Sequence, residues 1–148
     1  MHSGLIGVIV AFGLTCGAIA VGASPLFFLH IPSLTFCVGV PIGLGIMSCG
    51  LRDCLKAVAA LRVLVLNSPD HVALQRSAKV LRQLISYTYA AGAVGTMIGW
   101  LQLAIAGAEG EDLLASFAVS ILTIFYAFIV SEFVLRPTAC RIESGVKT

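Results

Sequence analysis

Four apolar runs, each long enough to cross a lipid bilayer, govern what this chain can become. They cover about residues 4–21, 33–51, 84–106 and 113–135. The first three hold no Lys, Arg, Asp or Glu, and the fourth holds only Glu132, near its end. Crossing roughly 30 Å of hydrocarbon takes a helix of about 20 apolar residues, so each run is expected to be one transmembrane helix. The rest of the chain agrees. Of 148 residues, 59% are hydrophobic and 11% charged, and the mean hydropathy is +1.03. Soluble domains carry about 25% charged residues, which argues against a water-soluble enzyme. The expectation is an all-α integral membrane protein with four spans. A net charge of +2 is too small to suggest a nucleic-acid partner.

The first run could be mistaken for a secretory signal, because Gly22-Ala-Ser24 resembles a cleavage site. Met-His-Ser supplies no basic leader, however, and the run is long for a signal core. A retained helix is the expectation.

The nine Lys and Arg residues set the orientation. Arg52, Lys56, Arg62, Arg76, Lys79 and Arg82 lie between the second and third runs, and Arg136, Arg141 and Lys147 follow the fourth. The connection 22–32 has no basic residue, and the turn at 107–112 offers only Glu109, Glu111 and Asp112. Four crossings put every positive charge on one side, which the positive-inside rule makes cytoplasmic. Both termini are then inside. The chain divides into a first transmembrane hairpin (1–51), a short cytoplasmic helical loop (52–83), a second hairpin (84–137) and a cytoplasmic tail (138–148).

The loop is too short for an independent core. Leu55, Val58, Leu61 and Val65 recur at helical spacing. Ser68-Pro69-Asp70 reads as a helix start, with a capping hydroxyl, a proline in the first turn and an acid behind it. That helix is expected to run into the third span, with Arg76, Lys79 and Arg82 near one face and Leu74, Ala78 and Leu81 near another. Pro41 is expected to kink the second span, and Pro137 to end the helix of the fourth.

The spans are not uniformly bulky. Gly13/Gly17, Gly39/Gly43 and Gly95/Gly99 are GxxxG pairs, which let helix backbones approach closely. On the third span Thr88, Gly92, Gly95, Gly99 and Gln102 form one small or polar stripe. On the fourth, Ser116, Ser120, Thr123, Ala127 and Ser131 form another. Thr96 and Thr123 are near the middles of their antiparallel spans, so their hydroxyls fall close to the bilayer midplane. Two readings stand at this point. Small and hydroxylated residues pack helices in membranes; hydroxyls also pass protons or replace part of a cation's hydration shell.

Glu132 is an ionisable group inside a span, a functional candidate by default. Arg136 follows it by four residues, the favoured order for a helical pair, so a cytoplasmic-end ion pair is expected. His2, His30 and His71 have no partners at ligand spacing and read as interface or surface residues. The five cysteines, Cys16, Cys37, Cys49, Cys54 and Cys140, show no CxxC or Cys/His spacing; neither a disulfide framework nor a metal site is expected, and no cofactor. No nucleophile–base pair or carboxylate dyad is present, so the chain is not read as an enzyme.

Three motifs then resemble a known family. Gly92-Ala-Val-Gly95-Thr96-Met-Ile-Gly99-Trp100-Leu-Gln102 is similar to the GxxGTxxGLxQ signature in the third helix of the MotA/TolQ/ExbB proton-channel family. Ala118-Val-Ser120-Ile-Leu-Thr123-Ile-Phe-Tyr126, closing with Pro137, resembles the AVALLTTFYG…P fourth helix of MotA-type subunits. Ile31-Pro-Ser33-Leu-Thr-Phe-Cys37-Val-Gly39 resembles the DPxSLxxVxGG segment that opens their second helix. Four spans match the MotA branch rather than the three-span TolQ and ExbB branch.

The resemblance implies a ring-forming stator subunit: a homopentamer in the bacterial inner membrane around two copies of a MotB/ExbD/TolR-like single-span protein. That partner's aspartate carries H+ or Na+, and ion flow drives rotation and mechanical work. It places Thr96 and Thr123, with neighbouring Ser120, on the ion path, and Gly92, Gly95, Gly99 and Ala127 in helix packing. The chain departs from the pattern at four points, one of them Glu132, where MotA-type subunits often have a small polar residue. The second threonine of the fourth-helix pair is Ile124, the glycine after the tyrosine is Ala127, and the loop 52–83 is several times shorter than in relatives that push on a flagellar rotor. The implied machine is a reduced motor acting through its partner's extracytoplasmic part. Two alternatives come from other classes: a structural tetraspan scaffold, and a small proton-coupled transporter using Glu132.

Overall fold

A computed structural model describes residues 30–61, 71–107 and 110–146, together with 7, 10, 12–15 and 17. The expected first span lies for the most part outside the described residues, as do the Ser68-Pro69-Asp70 helix start, Arg62, Lys147 and Glu109. Every element among the described residues is helical. In chain order these are α1 (Ile31–Cys49), α2 (Leu51–Ala59), α3 (His71–Ala106), α4 (Glu111–Ile129), a π-helical segment (Val130–Leu135) and α5 (Arg136–Val146). Three stretches are long and apolar enough to cross a membrane: Ile31–Cys49, Gln75–Ala106 and Leu113–Ser144. Their outer faces carry Met47, Leu101, Ile105 and Leu114, all largely exposed; such a surface suits lipid and not water.

Local chemistry sets the helix ends. His30 caps α1: its Nδ1 accepts the Ser33 backbone N–H at 3.4 Å, and Pro32 fits the first turn, where an N–H has no helical partner. Gly50 ends α1 at φ 86° and donates its N–H to the Ile46 carbonyl at 2.9 Å. Only glycine adopts that left-handed backbone without strain. Its own carbonyl then accepts the Cys54 N–H at 3.1 Å, opening α2.

Helix α3 has 36 residues, a length of about 54 Å at 1.5 Å per residue. It therefore outreaches the hydrocarbon, and its first part projects as a charged stem continuous with the span. On the stem Arg76, Lys79 and Arg82 are exposed, whereas Ala78 and Leu81 are buried. Arg76 pairs with Asp53 of α2 at 2.8 Å. Arg82 makes a two-pronged pair with Glu143 of α5, at 2.6 and 2.7 Å.

Between these charges lies an apolar core of Ala57 and Ala60, of Ala78, Val80, Leu81 and Leu84, and of Leu135, Ala139 and Ile142. The loop and the tail, two separate pieces in the sequence, thus share one core with the ends of the spans. Cys54 is at its edge, where burial pushes the thiol above its ordinary range, with Cys49 adding to the effect.

Pro137 does not end the helix, contrary to expectation. A proline inside an α-helix lacks one N–H and its ring clashes with the carbonyl four residues back. Here the preceding turn is widened to a π-helix, in which Arg136 N–H bonds the Ser131 carbonyl five residues back. The wider turn gives the ring room, and α5 continues to Val146. Pro41 likewise lies inside an unbroken α1, on its buried face with Ser33, Cys37 and Gly45.

Candidate functional site

The small-residue stripes of α3 and α4 face each other. A Cβ placed on Gly92 would overlap the Ala127 Cβ and stand 3.3 Å from the Ile124 Cα. One on Gly95 would stand 2.6 Å from the Thr123 Cγ2, and one on Gly99 would stand 2.8 Å from the Ser120 Cβ. Three successive turns of α3 therefore need glycine to let α4 approach. Beyond them, Thr88 and Ser131 are both buried.

Close approach brings the mid-span hydroxyls together. Thr96, Ser120 and Thr123 are all buried. Thr96 Oγ1 donates to its own helix at the Gly92 carbonyl (2.9 Å) and reaches across to the Ser120 carbonyl at 3.2 Å. Ser120 Oγ donates to the Ser116 carbonyl at 3.0 Å. Two of the three hydroxyls are thus turned to backbone.

Thr123 differs. Its Oγ1 bonds the Ser33 Oγ of α1 at 3.1 Å, and Ser33 Oγ is 2.7 Å from His30 Nδ1. The His30 backbone N–H donates to the Tyr126 hydroxyl at 3.1 Å. Cys37, one turn below Ser33, donates its thiol to the Thr123 carbonyl at 3.0 Å. Helix α1 is therefore stitched to α4 by polar contacts around Thr123, and a string of side chains runs from the buried Thr123 and Ser33 to the half-buried His30.

All three residues of the string line a groove of about 650 Å³ between the start of α1, the end of α3 and the start of α4. Its polar lining is His30, Ser33, Gln102, Ser116, Ser120 and Thr123. Thr96 and Ile124 are not part of it. Ile124 packs instead on Gly92, with its Cγ1 3.7 Å from the position of an added Cβ.

Glu132 lies at the charged end of the bundle. It pairs with Arg136 at 2.9 Å and accepts a hydrogen bond from the Tyr89 hydroxyl. Its side chain remains about a third exposed (34%). Next to it, Ser131 is fully buried with a hydroxyl that has no partner among the described residues. Among the described residues, no three His, Cys, Asp or Glu are placed to hold a metal.

Sequence reasoning passed over His30, Ser33, Cys37 and Tyr89 as members of a site. A signal for the first two was present. His30 and Ser33 stand three apart around Pro32, the spacing at which a cap and the third helical residue satisfy each other. Nothing in the spacing marks Cys37 or Tyr89, whose partners are 86 and 43 residues away.

No protein-family model matches the chain, and a search of curated proteins finds no match.

Proposed function

We propose that the chain is the ring-forming subunit of an ion-driven rotary motor in the bacterial inner membrane, of the MotA-like kind that its third- and fourth-helix motifs resemble. In this reading it crosses the membrane four times with both termini in the cytoplasm. Five copies surround two copies of a single-span partner, and H+ or Na+ flow turns the ring. The partner must supply the acid that carries the ion, since Glu132 is near a span end and held by Arg136 and Tyr89.

The observation that carries the reading is the burial of Thr96, Ser120 and Thr123 on two facing spans, beside a polar-lined groove. Two further features support it. Among the described residues, Gly39 and Gly43 have nothing within 4 Å of an added Cβ, which suits that GxxxG face of α1 to close approach by another helix, as between neighbouring subunits. The short loop, folded against α5, leaves force to be delivered through the partner's extracytoplasmic part.

The scaffold alternative also has an observation in its favour. Thr96 and Ser120 donate to backbone carbonyls, as hydroxyls in helix packing do.

The experiment that separates these readings is native mass spectrometry of the detergent-solubilised chain, followed by flux in vesicles containing the chain and its single-span partner. The motor reading expects five copies, and it expects Thr96→Val to slow ion flux while leaving assembly intact. A monomer or dimer that no partner converts to a pentamer refutes it. Normal function after Thr96→Ala with Thr123→Ala supports the scaffold.

A further inference from the structure

Helix α2 does not lead away from the spans. A Cβ on Gly45 would stand 3.3 Å from Cys54 Sγ and 2.7 Å from Leu84 Cδ2, and Cys54 Sγ is 3.9 Å from the Ile42 carbonyl oxygen. Cys54 therefore lies beside residues 42–45, although α1 continues past them to Cys49 before the chain turns. Those residues are roughly 6–10 Å back along α1 from its end, at 1.5 Å per residue. The 19 residues of α1 span roughly 28 Å, close to the thickness of the hydrocarbon. The turn at Gly50 thus folds α2 back to the boundary between headgroups and acyl chains, where an interfacial helix buries its apolar face by about 5–10 Å.

The side chains of α2 are sorted for that position. Cys54 and Ala57 are buried against the bundle. Leu51 and Leu55, one turn apart, are 55% and 58% exposed. Arg52 and Lys56, also one turn apart, are exposed as well. Each base is two residues from Cys54, hence roughly 200° round the helix from it. Cys54 points toward the spans, so both bases point away from the bilayer centre, and the two leucines fall on the flank between. Asp53 agrees with this orientation: it reaches Arg76, roughly 12 Å further out along α3 than Leu84. Among the described residues Asp53, Glu132 and Glu143 are held by Arg76, Arg136 and Arg82, and the side chains of Arg52 and Lys56 make no ion pair or hydrogen bond.

We infer that α2 is an in-plane helix of the membrane interface that binds anionic phospholipid, with Leu51 and Leu55 among the acyl chains and Arg52 and Lys56 on the headgroup phosphate. The phosphate supplies acceptor oxygens that no described residue offers these bases. A zwitterionic headgroup carries its own cation beside the phosphate, which competes with them, so the site prefers lipid of net negative charge. Because α2 also pairs with Arg76 and shares a core with α5, a lipid held there fixes the stem and the tail at the membrane surface. The placement needs only that α1 and α3 cross a membrane, and it stands whether or not the chain is a motor subunit.

The chain has one tryptophan, Trp100, so its fluorescence can be moved to α2. Trp100→Phe keeps a ring against Phe117, and Leu55→Trp in that background reports the surroundings of α2. The probes are phosphatidylcholine vesicles holding increasing fractions of either phosphatidylcholine or phosphatidylglycerol brominated on its acyl chains, since bromine quenches tryptophan on close contact. Both lipids are expected to quench, brominated phosphatidylglycerol at the lower fraction. Arg52→Gln with Lys56→Gln is expected to reduce that preference about fivefold for each charge removed, while quenching by brominated phosphatidylcholine stays the same and shows that α2 keeps its place. Where Leu55→Trp fails to fold, Leu51→Trp on the same flank replaces it. Quenching by neither lipid overturns the inference, with red-shifted emission placing α2 in water and blue-shifted emission placing it under another protein chain. Equal quenching by the two lipids, or a preference that survives removal of both bases, overturns the anionic site.

Discussion

The contact between Gly92 and Ala127 offers a direct test of how α3 and α4 are held together. Carbon atoms in van der Waals contact settle at about 3.5–4.0 Å, yet a Cβ on Gly92 would overlap that of Ala127 and stand 3.3 Å from the Ile124 Cα. Neither of two overlapping Cβ atoms can rotate away, so α4 would have to retreat by about 1 Å, which forfeits a quarter to a half of each dispersion contact along the seam, whereas the Ile124 contact asks for only a few tenths of an ångström. Overpacking of this kind costs about 1–3 kcal/mol, against up to about 1 kcal/mol returned by alanine's helix propensity. Gly92→Ala alone is therefore expected to destabilise the bundle by about 1–2 kcal/mol. Ala127→Gly alone loses propensity and a methyl contact, about 1 kcal/mol. In the double mutant the propensities cancel and the methyl group has only changed helices. Its stability should return to within about 0.5 kcal/mol of the starting protein, a coupling of about −2 to −3 kcal/mol. Unfolding in mixed detergent micelles, followed by circular dichroism, reads all four corners of the cycle. Gly43→Ala is the control, since among the described residues nothing lies within 4 Å of its added Cβ, and it should leave the subunit as stable as before or more stable by up to about 1 kcal/mol of helix propensity. Additivity at positions 92 and 127 would refute the close packing of this seam.

Other perturbations probe separate parts of the molecule. Leu81 is fully buried in the core shared by α2, α3 and α5, so Leu81→Ala should cost about 2–5 kcal/mol and make α5 more susceptible to proteolysis; resistance equal to wild type would mean that the tail does not depend on this core. Ser131→Ala removes a buried hydroxyl with no partner among the described residues and should be neutral or stabilising by up to about 1–3 kcal/mol; a marked loss in the same unfolding assay would show that the hydroxyl is satisfied. Cys140 is exposed and Cys54 buried. Thiolate is the reactive form, and the raised pKa of Cys54 leaves less of it at any pH below its ordinary range. Maleimide should therefore modify Cys140 at neutral pH and Cys54 only after unfolding, as peptide mass mapping would reveal; equal rates would contradict the buried placement.

The parts of the fold legible in the sequence were those written as uninterrupted pattern. The apolar runs mark α1, α3 and α4 because a span must be apolar along its whole length. The alternation of Arg76, Lys79 and Arg82 with Ala78 and Leu81 shows which side of the stem is buried. Glycines repeating at steps of three and four mark the face where α4 approaches. Contacts between distant residues were not legible. Tyr89 reaches Glu132 and Cys37 reaches Thr123 through helix register, which depends on the crossing of two helices and leaves no local trace. Pro137 misled for a related reason. The rule that proline ends a helix assumes a regular preceding turn, and the π-helical turn at 130–135 removes the clash the rule relies on.

The placement of Ile124 bears on the question left by the missing second threonine. Were position 124 a wall of the groove, exchanging a hydroxyl for an isoleucine would dry it. Instead Ile124 is turned toward Gly92 in the α3–α4 seam, away from the polar string, where an apolar side chain adds contact area and no polar group goes unpaired. The hydrogen-bonded string leaves Thr123 sideways, to Ser33 and His30 of α1, rather than along α4. An ion path on the groove side of Thr123 has no use for a hydroxyl at 124, and packing and conduction cease to compete for the same residues. Thr96 and Ser120, tied to backbone carbonyls, hold the seam closed, while Thr123 is the member of the trio whose hydroxyl is bonded to another side chain. The strongest functional loss should therefore follow from Thr123→Val, and a Thr96→Val variant with the larger effect would argue that the ion moves along the seam itself.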